Sequence, residues 1–209
     1  MTSRPVYGLV LSGGKSKRMG RDKALLERDG QSQLAYIATL LEEHVERVFV
    51  STREDQQEEA ERRQYDLVVD HYHDMGPLAG ILSAMEDYPE VDWLVVACDL
   101  PNISGATLRE LLDQRSSQHP FTAYTSSHDG LPEPLCAFYP ASSRTLIRQF
   151  ADEGIHCPRK ILIRSDTHLL RQSDPASLDN DLGSSWRSSQ TGYSGPQVTY
   201  VAAGETWSY

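Results

Sequence analysis

Short apolar runs alternate with segments of helical spacing through the first two-thirds of this 209-residue chain. In residues 33–45, Leu34, Ile37 and Leu41 fall on one helical face. The run 93–98 (WLVVAC) is apolar throughout, which is typical of a central strand buried on both faces of a parallel sheet. Alternation of this kind predicts βαβ units and an α/β fold.

The expected architecture is a Rossmann-like three-layer sandwich with a mostly parallel sheet. Besides residues 93–98, strands are predicted at 6–11, 48–51, 67–70, 121–125 and 135–139. Besides residues 33–45, helices are predicted at 76–86, at 104–116 with Ser104 as N-cap, and at 140–151. Residues 161–163 and 169–170 are short apolar pieces. Residues 54–64 are almost wholly charged or amide, and they are expected to form at most a solvent-facing helix.

Composition indicates one soluble domain. The mean hydropathy is −0.49, no apolar run approaches the ~18 residues of a membrane span, and the start lacks a secretory apolar region, so a cytoplasmic protein is expected. The net charge of −10 argues against nucleic-acid binding. Residues 1–172 are expected to form the domain. Residues 173–209, rich in Ser, Asp, Asn and Gly, are expected to form an irregular tail with one edge strand at 198–202.

Residues with metal-binding side chains are too dispersed to predict a zinc site. The three cysteines, Cys98, Cys136 and Cys157, contain no Cys-x-x-Cys pair, so reduced thiols are the simplest interpretation. His71 and His73 lie two residues apart without a third ligand at matching spacing, and a polar strand end is preferred over zinc.

A cationic stretch follows the first predicted strand. Leu11 and Ser12 lead into the pair Gly13-Gly14, and the following residues include Lys15, Lys17, Arg18, Arg21 and Lys23. Adjacent glycines allow main-chain N–H groups to approach an anion closely, and the cations suit a polyphosphate. The spacing matches neither a Walker loop nor a dinucleotide fingerprint. A Gly-Gly pair by itself also fits a basic surface turn.

The whole segment 9–26 resembles the L-[SA]-G-G-x-S-x-R-M-G-x-D-K-x-L-L signature of the molybdenum cofactor guanylyltransferase family of nucleoside-triphosphate transferases. Asp70 and the segments 76–80 and 97–101 extend the resemblance. The resemblance implies a fold of the nucleotide-diphospho-sugar transferase type. It also implies Mg²⁺-dependent transfer of GMP from GTP to the phosphate of molybdopterin, with release of pyrophosphate.

The resemblance further implies roles for individual residues. The nucleotide-binding residues would be Leu11, Ser12, Gly13, Gly14, Lys23, Ser51, Asp70, Gly80 and Asp99. Lys23 and Arg18 would neutralise phosphate charge during catalysis, and Asp99 would bind Mg²⁺. From the residues alone, Asp99 equally fits a cap for the helix near Ser104, and Asp70 fits a turn after its strand. A general base is not expected, because the second pKa of the acceptor phosphate is about 6.

Two departures from the family pattern leave alternatives open. Ser51 stands where the closest guanylyltransferases carry Asn, which makes base selectivity less secure. After Asn180, residues 181–185 (DLGSS) replace the family's Thr-Pro helix start. The alternatives are cytidylyl transfer to molybdopterin, nucleotidyl transfer to a sugar phosphate, and a nucleotide-binding homologue without turnover. Implied partners are GTP, molybdopterin, and a molybdoenzyme or its chaperone.

Overall fold

The computed structural model describes residues 4–12, 23–28 and 30–179, and at Lys23 and Arg28 it describes the main chain. The strands are β1 (Val6–Leu11), β2 (Glu27–Arg28), β3 (Gln31–Ser32), β4 (Arg47–Thr52), β5 (Asp66–Val69), β6 (Asp92–Ala97), β7 (Phe121–Thr125), β8 (Pro132–Tyr139) and β9 (Thr167–Leu170). The helices are α1 (Gln33–Glu42), α2 (Pro77–Asp87), α3 (Gly105–Asp113), α4 (Arg144–Asp152) and α5 (Pro158–Arg164).

The main sheet has the strand order β5-β4-β1-β6-β8-β7-β9. Strand β8 runs antiparallel to its neighbours β6 and β7, whereas the other pairs in this sheet are parallel. Strands β2 and β3 form a separate short antiparallel pair. The predicted mostly parallel sheet is therefore confirmed.

Apolar side chains point alternately to the two faces of the sheet and form two cores. Leu9, Phe49 and Trp93 pack on the face that is covered by α2, α4 and α5. Val10 and Val50 pack on the opposite face, under α1 and α3. The central strands are buried on both sides, which explains why their sequences are nearly continuous apolar runs. This arrangement is the predicted three-layer sandwich.

Local sequence signals account for the starts of three helices. Ser32 caps α1 by accepting from the Ala35 amide at 3.0 Å, and Ser104 caps α3 as predicted, by accepting from the Thr107 amide at 3.3 Å. Gly76 precedes α2 with φ = +55°, a conformation that glycine adopts readily. Proline then opens α2, where its missing N–H would have no helical partner.

Three expectations about local structure need correction. Residues 54–64 form two single 3₁₀ turns, Glu54–Gln56 and Arg62–Gln64, and Arg62 is fully buried rather than solvated. The apolar piece 161–163 belongs to helix α5, which is too short for its period to be recognised in the sequence. The helix predicted at 140–151 begins at Arg144, after a 3₁₀ turn over Ala141–Ser143.

The described residues beyond 172 lie against the body of the fold. Ser177 and Leu178 are buried, and Ser173 Oγ donates to the Glu110 carboxylate at 2.6 Å. The division at residue 172 stays a prediction, and the edge strand expected at 198–202 falls outside the described residues. The helices described here include none that is both long and apolar enough to cross a membrane.

Candidate functional site

Four parallel strands, β5, β4, β1 and β6, end at the same edge of the sheet. Leu11 at the end of β1 is in register with Ser51 of β4 and with the last residue of β6. The Asp70 amide extends the β4–β5 pairing by donating to the Thr52 carbonyl at 2.9 Å. Open α/β sheets bind ligands at the carboxyl ends of their strands. The predicted residues Leu11, Ser51, Asp70 and Asp99 therefore share the edge where a ligand is expected.

Ser51 and Asp70 form a hydrogen-bonded pair at this edge. The buried Ser51 hydroxyl donates to Asp70 Oδ1 at 2.9 Å. Burial raises the pKa of Asp70 to about 6, although the Ser51 hydrogen bond and the nearby charges of Arg53 and His71 act in the opposite direction. The Asp70 carboxyl group consequently changes charge close to neutral pH.

Gly80 lets helix α2 approach the ends of β1 and β4. A Cβ atom at residue 80 would lie 2.1 Å from Ser51 Oγ and 3.1 Å from Leu11 Cδ2. A further contact joins α2 to the segment after β5, because the His71 amide donates to Ser83 Oγ at 2.8 Å. The space that glycine leaves at position 80 is filled by Ser51. Contact between residue 80 and a nucleotide stays a prediction.

The amide, the hydroxyl and the carbonyl of Ser12 all form hydrogen bonds with other residues of the protein. Its amide and its hydroxyl both donate to the Ser51 carbonyl, at 3.3 and 2.8 Å. Arg62 donates from Nε to Ser12 Oγ at 3.1 Å and from Nη2 to the Ser12 carbonyl at 2.9 Å. The nucleotide contact predicted for Ser12 is untested, and the structure shows that Ser12 anchors the chain as it leaves β1.

Arg62 is the functional candidate that the sequence did not reveal. Its side chain is 0% exposed, whereas that of the neighbouring Arg63 is 63% exposed and pairs with Glu58 at 3.5 Å. Both arginines occur in the same charged run, so local composition gives no signal that separates them. The distinction depends on a contact with Ser12, fifty positions away in the sequence.

The remaining predicted residues are described in part. Asp99 directly follows the buried Cys98, whose amide donates to the Leu11 carbonyl at 3.2 Å. Lys23 begins the single 3₁₀ turn Lys23–Leu25, and the next residue, Ala24, is fully buried. The other predicted positions in the cationic stretch and beyond β9 fall outside the described residues; these are Gly13, Gly14, Arg18 and Asn180.

Within the described ranges, no group of three or more His, Cys, Asp or Glu side chains is arranged to hold a metal ion. Mg²⁺ in phosphate-transfer sites commonly takes one or two carboxylates, with phosphate oxygens and water completing its shell. Asp99, at the edge where a ligand is expected, fits that donor set. His71, just after β5, lies beside Glu86 and Asp87, at 3.6 and 3.3 Å. The three cysteines are free.

Residues 8–169 match the family described as the MobA-like NTP transferase domain. The chain is 38% identical over 180 residues to a molybdenum cofactor biosynthesis bifunctional protein of Synechocystis, an alignment that covers 86% of this chain and 52% of that protein. It is 36% identical over 136 residues to a probable molybdenum cofactor guanylyltransferase of Bacillus mycoides, covering 63% of this chain and 66% of the relative. The chain thus spans between half and two-thirds of these relatives' lengths.

The fold also resembles a solved structure. Molybdopterin-guanine dinucleotide biosynthesis protein A from Archaeoglobus fulgidus superposes with a TM-score of 0.65 at 21% identity, covering 79% of this chain and 83% of that one. At this level of identity the likeness establishes the fold. The predicted nucleotidyltransferase-type architecture is therefore confirmed independently of the sequence motif.

Proposed function

Since this chain belongs to the MobA-like NTP transferase domain family, we propose that it transfers GMP from GTP to the phosphate of molybdopterin. The products are molybdopterin guanine dinucleotide and pyrophosphate. The names of the Synechocystis and Bacillus relatives support this proposal. The sequence match over 9–26 supports it further, because the motif carries five cations soon after β1 in the sequence of an acidic protein.

The hydrogen-bonded pair Ser51–Asp70, lying at the carboxyl edge against helix α2, is the observation that carries the proposal. An ionised carboxylate accepts hydrogen bonds and donates none. Guanine and cytosine each carry an exocyclic amino donor, so a carboxylate could accept from either base. A deprotonated Asp70 oriented by Ser51 supports recognition of a nucleotide through its N–H or O–H groups.

The proposed reaction depends on positioning and charge neutralisation. Asp99 and phosphate oxygens would hold Mg²⁺, which when bound supplies positive charge against the phosphates. Lys23 would neutralise charge at the α-phosphate, and Arg18 would contact the β- and γ-phosphates with its planar fork. An oxygen of the acceptor phosphate attacks the α-phosphorus, and the bond to pyrophosphate breaks. Because the second pKa of the acceptor phosphate is about 6, this oxygen is already ionised at neutral pH and no side chain needs to remove a proton.

Two alternatives rest on specific positions. Ser51 in place of Asn favours keeping cytidylyl transfer to molybdopterin, or nucleotidyl transfer to a sugar phosphate, as a second candidate. The altered residues after Asn180 favour a homologue that binds nucleotide without turnover. The first alternative differs from our proposal in the nucleotide or acceptor used, and the second in the absence of pyrophosphate release.

The test is a matched set of reactions containing Mg²⁺, molybdopterin and one of GTP, CTP, ATP or UTP, with pyrophosphate release as the readout. Release with GTP, lost in D99A and retained in the control D113A on the far end of α3, is the expected result. Release with CTP would move the protein to the cytidylyl alternative. GTP binding without release from any nucleotide would overturn the transferase proposal. If GTP supports release, a receiving molybdoenzyme or chaperone would be sought by capture of the labelled product.

A further inference from the structure

Two adjacent residues, Glu61 and Arg62, contact both ends of the segment that carries the cationic motif. Arg62 donates two hydrogen bonds to Ser12, where the segment leaves β1. Ser32, where the segment returns to open α1, donates its hydroxyl proton to the Glu61 carboxylate. We propose that Glu61 and Arg62 are positioning residues that fix these two ends and thereby set the affinity for the nucleoside triphosphate, an inference that rests on the proposed function for the identity of that ligand.

The burial of Arg62 indicates that its contact with Ser12 is specific. A guanidinium removed from water is costly unless its donors are paired in good geometry. Arg62 is fully buried, and its donors reach the hydroxyl and the carbonyl of one residue, while Nη1 lies 3.4 Å from the Glu59 carboxylate. The planar fork of arginine makes such a two-point contact, and the ammonium of lysine does not reproduce it.

Ser12 transmits this contact to the motif. Its amide and hydroxyl bind the Ser51 carbonyl while its own carbonyl accepts from Arg62, so its position is defined from both sides. The next residue in the sequence is Gly13, the first of the glycine pair. Ordering a loop at the moment of binding lowers affinity, so a chain that is already held at its end binds its ligand more tightly. Release of Ser12 from Arg62 is therefore expected to weaken nucleotide binding, although Arg62 itself is not among the residues proposed to contact the nucleotide.

Glu61 acts at the other end of the segment. Ser32 Oγ accepts from the Ala35 amide at 3.0 Å as the cap of α1, and its proton is directed to Glu61. The Gln33 amide donates to the Leu26 carbonyl at 2.9 Å, which connects the start of α1 to the turn after Lys23. Because Lys23 lies nine positions before Ser32 in the sequence, a fixed Ser32 limits where the main chain of Lys23 can lie.

Glu59 gives the Glu61–Arg62 pair a defined geometry. Its carboxylate accepts from the Glu61 amide at 3.2 Å and from the Arg62 amide at 3.1 Å, and it lies beside the Arg62 guanidinium. These three contacts close the turn that places Glu61 and Arg62 side by side. A stretch composed like a solvated surface thus carries an ordered turn with two inward contacts.

The experiment compares R62M and R62K with the control R63M, which changes the exposed neighbour. In each protein, the Kd for GTP is measured by titration in Mg²⁺ without acceptor, and amide exchange at Ser12 is measured by NMR without nucleotide. We expect a roughly tenfold higher Kd and faster Ser12 exchange in both Arg62 variants, and values within about twofold of the wild type in R63M. Methylguanidinium added to R62A should restore part of the affinity, which a general loss of stability would not allow.

The Glu61 end is tested with E61A and E61Q, because glutamine retains an oxygen that accepts from Ser32. Faster exchange at the Ala35 amide and weaker GTP binding are expected in E61A, with E61Q closer to the wild type.

Exchange at the Ser12 amide that is as slow in a folded R62K as in the wild type would overturn the inference, whatever the affinity for the nucleotide. If the wild-type protein binds no nucleoside triphosphate, the proposed function is overturned. Faster exchange at the Ser12 amide in the Arg62 variants would still support the anchoring contact. Unchanged Kd despite faster exchange would remove the proposed effect on affinity.

Discussion

The parallel strands of the main sheet begin at one edge, the amino edge, and end at the opposite one, the carboxyl edge. The two edges differ in the side chains that these strands place there. At the amino edge, Tyr7, Phe49, Tyr88 and Trp93 form an aromatic cluster with ring centroids 4.8 to 6.1 Å apart. At the carboxyl edge, two residues further along β4 than Phe49, the side chain is the small hydroxyl of Ser51. Helix α2 and its C-cap residue span both positions, with Gly80 against Ser51 and Tyr88 against Phe49. Large apolar side chains fill one end of this interface, and polar groups are placed at the other.

Arginine shows the same contrast. At the amino edge, Arg47 is half exposed, pairs with Asp66 at 2.6 Å and lies over the Phe49 ring at 4.8 Å. At the carboxyl edge, Arg62 is buried and bonds to the main chain of Ser12. The amino edge therefore contributes mainly apolar burial, whereas the carboxyl edge mainly positions polar groups. Substitutions at the two edges should therefore separate into effects on stability and effects on ligand binding.

The largest expected effect is that of W93A at the amino edge. Removing a fully buried indole from the aromatic cluster should lower the free energy of unfolding by about 3–5 kcal/mol. Denaturant unfolding measures this loss, and the Kd for GTP, measured on the folded protein at low temperature, should stay within about twofold. A large loss of affinity in the folded variant would contradict the separation of the two edges.

The next effect concerns Asp99 at the carboxyl edge. In D99A, the rate of pyrophosphate release should fall by about 100-fold or more, because a metal-binding carboxylate is removed from the charged transition state. The melting temperature should change much less than in W93A. An active D99A protein would show that Asp99 does not hold a metal ion that the reaction needs.

Gly80 is buried at the carboxyl edge in the contact between α2 and the sheet, so G80A should affect both properties. The added methyl group collides with Ser51, so a loss of about 1–3 kcal/mol in unfolding free energy is expected together with weaker GTP binding. The double variant S51G/G80A removes the collision. It should recover stability without recovering affinity, and recovery of both would show that Ser51 has no role in binding.

The raised pKa of Asp70 predicts that stability and GTP binding change with pH in opposite directions. Its pKa is raised from 3.8 to about 6 by burial, so the folded state retains a proton that the unfolded state has lost between these values. Stability should fall as pH rises through this window and level off above about pH 6. Affinity for GTP should rise over the same range if the ionised carboxylate binds the nucleotide.

D70N is the control for both profiles. D70N should remove the contribution of this carboxyl group to the pH dependence of the free energy of unfolding, measured by urea titration from pH 4 to 8. It should also weaken GTP binding above pH 6, where Asp70 is ionised. A D70N variant with the wild-type binding profile would assign the carboxylate to the turn after β5.

The smallest effect is expected from R47A at the amino edge. The Arg47–Asp66 pair is solvent exposed, and exposed pairs contribute little to stability. The variant should melt close to the wild type and bind GTP equally well. A clear loss of affinity would mean that the edges are coupled through β4.

The sequence predicted those parts of the molecule where one local pattern decides the structure. Continuous apolar runs identified the central strands, and Ser104 marked the start of α3. Asp70 was found because it follows a recognisable strand, so its place at the sheet edge could be inferred. These predictions needed no knowledge of distant contacts.

The structure added what depends on contacts between distant segments. Positions 62 and 63 are both arginine and lie in the same charged run, and the difference in their burial follows from the position of Ser12. The need for glycine at position 80 also follows from Ser51 on another element. Helix α5 was missed because seven residues give too little periodicity. Tertiary packing, rather than local propensity, decides such features.

The anchoring turn at Glu59–Arg62 has a practical consequence for protein engineering. A stretch rich in Glu and Gln between two strands is where one would ordinarily insert an affinity tag or a reporter domain. Here an insertion would change the spacing between β4 and the residues that hold Ser12 and Ser32. Insertion scanning should therefore find residues 59–62 as intolerant as a core strand, and their length should be preserved when chimaeric proteins are built from this domain.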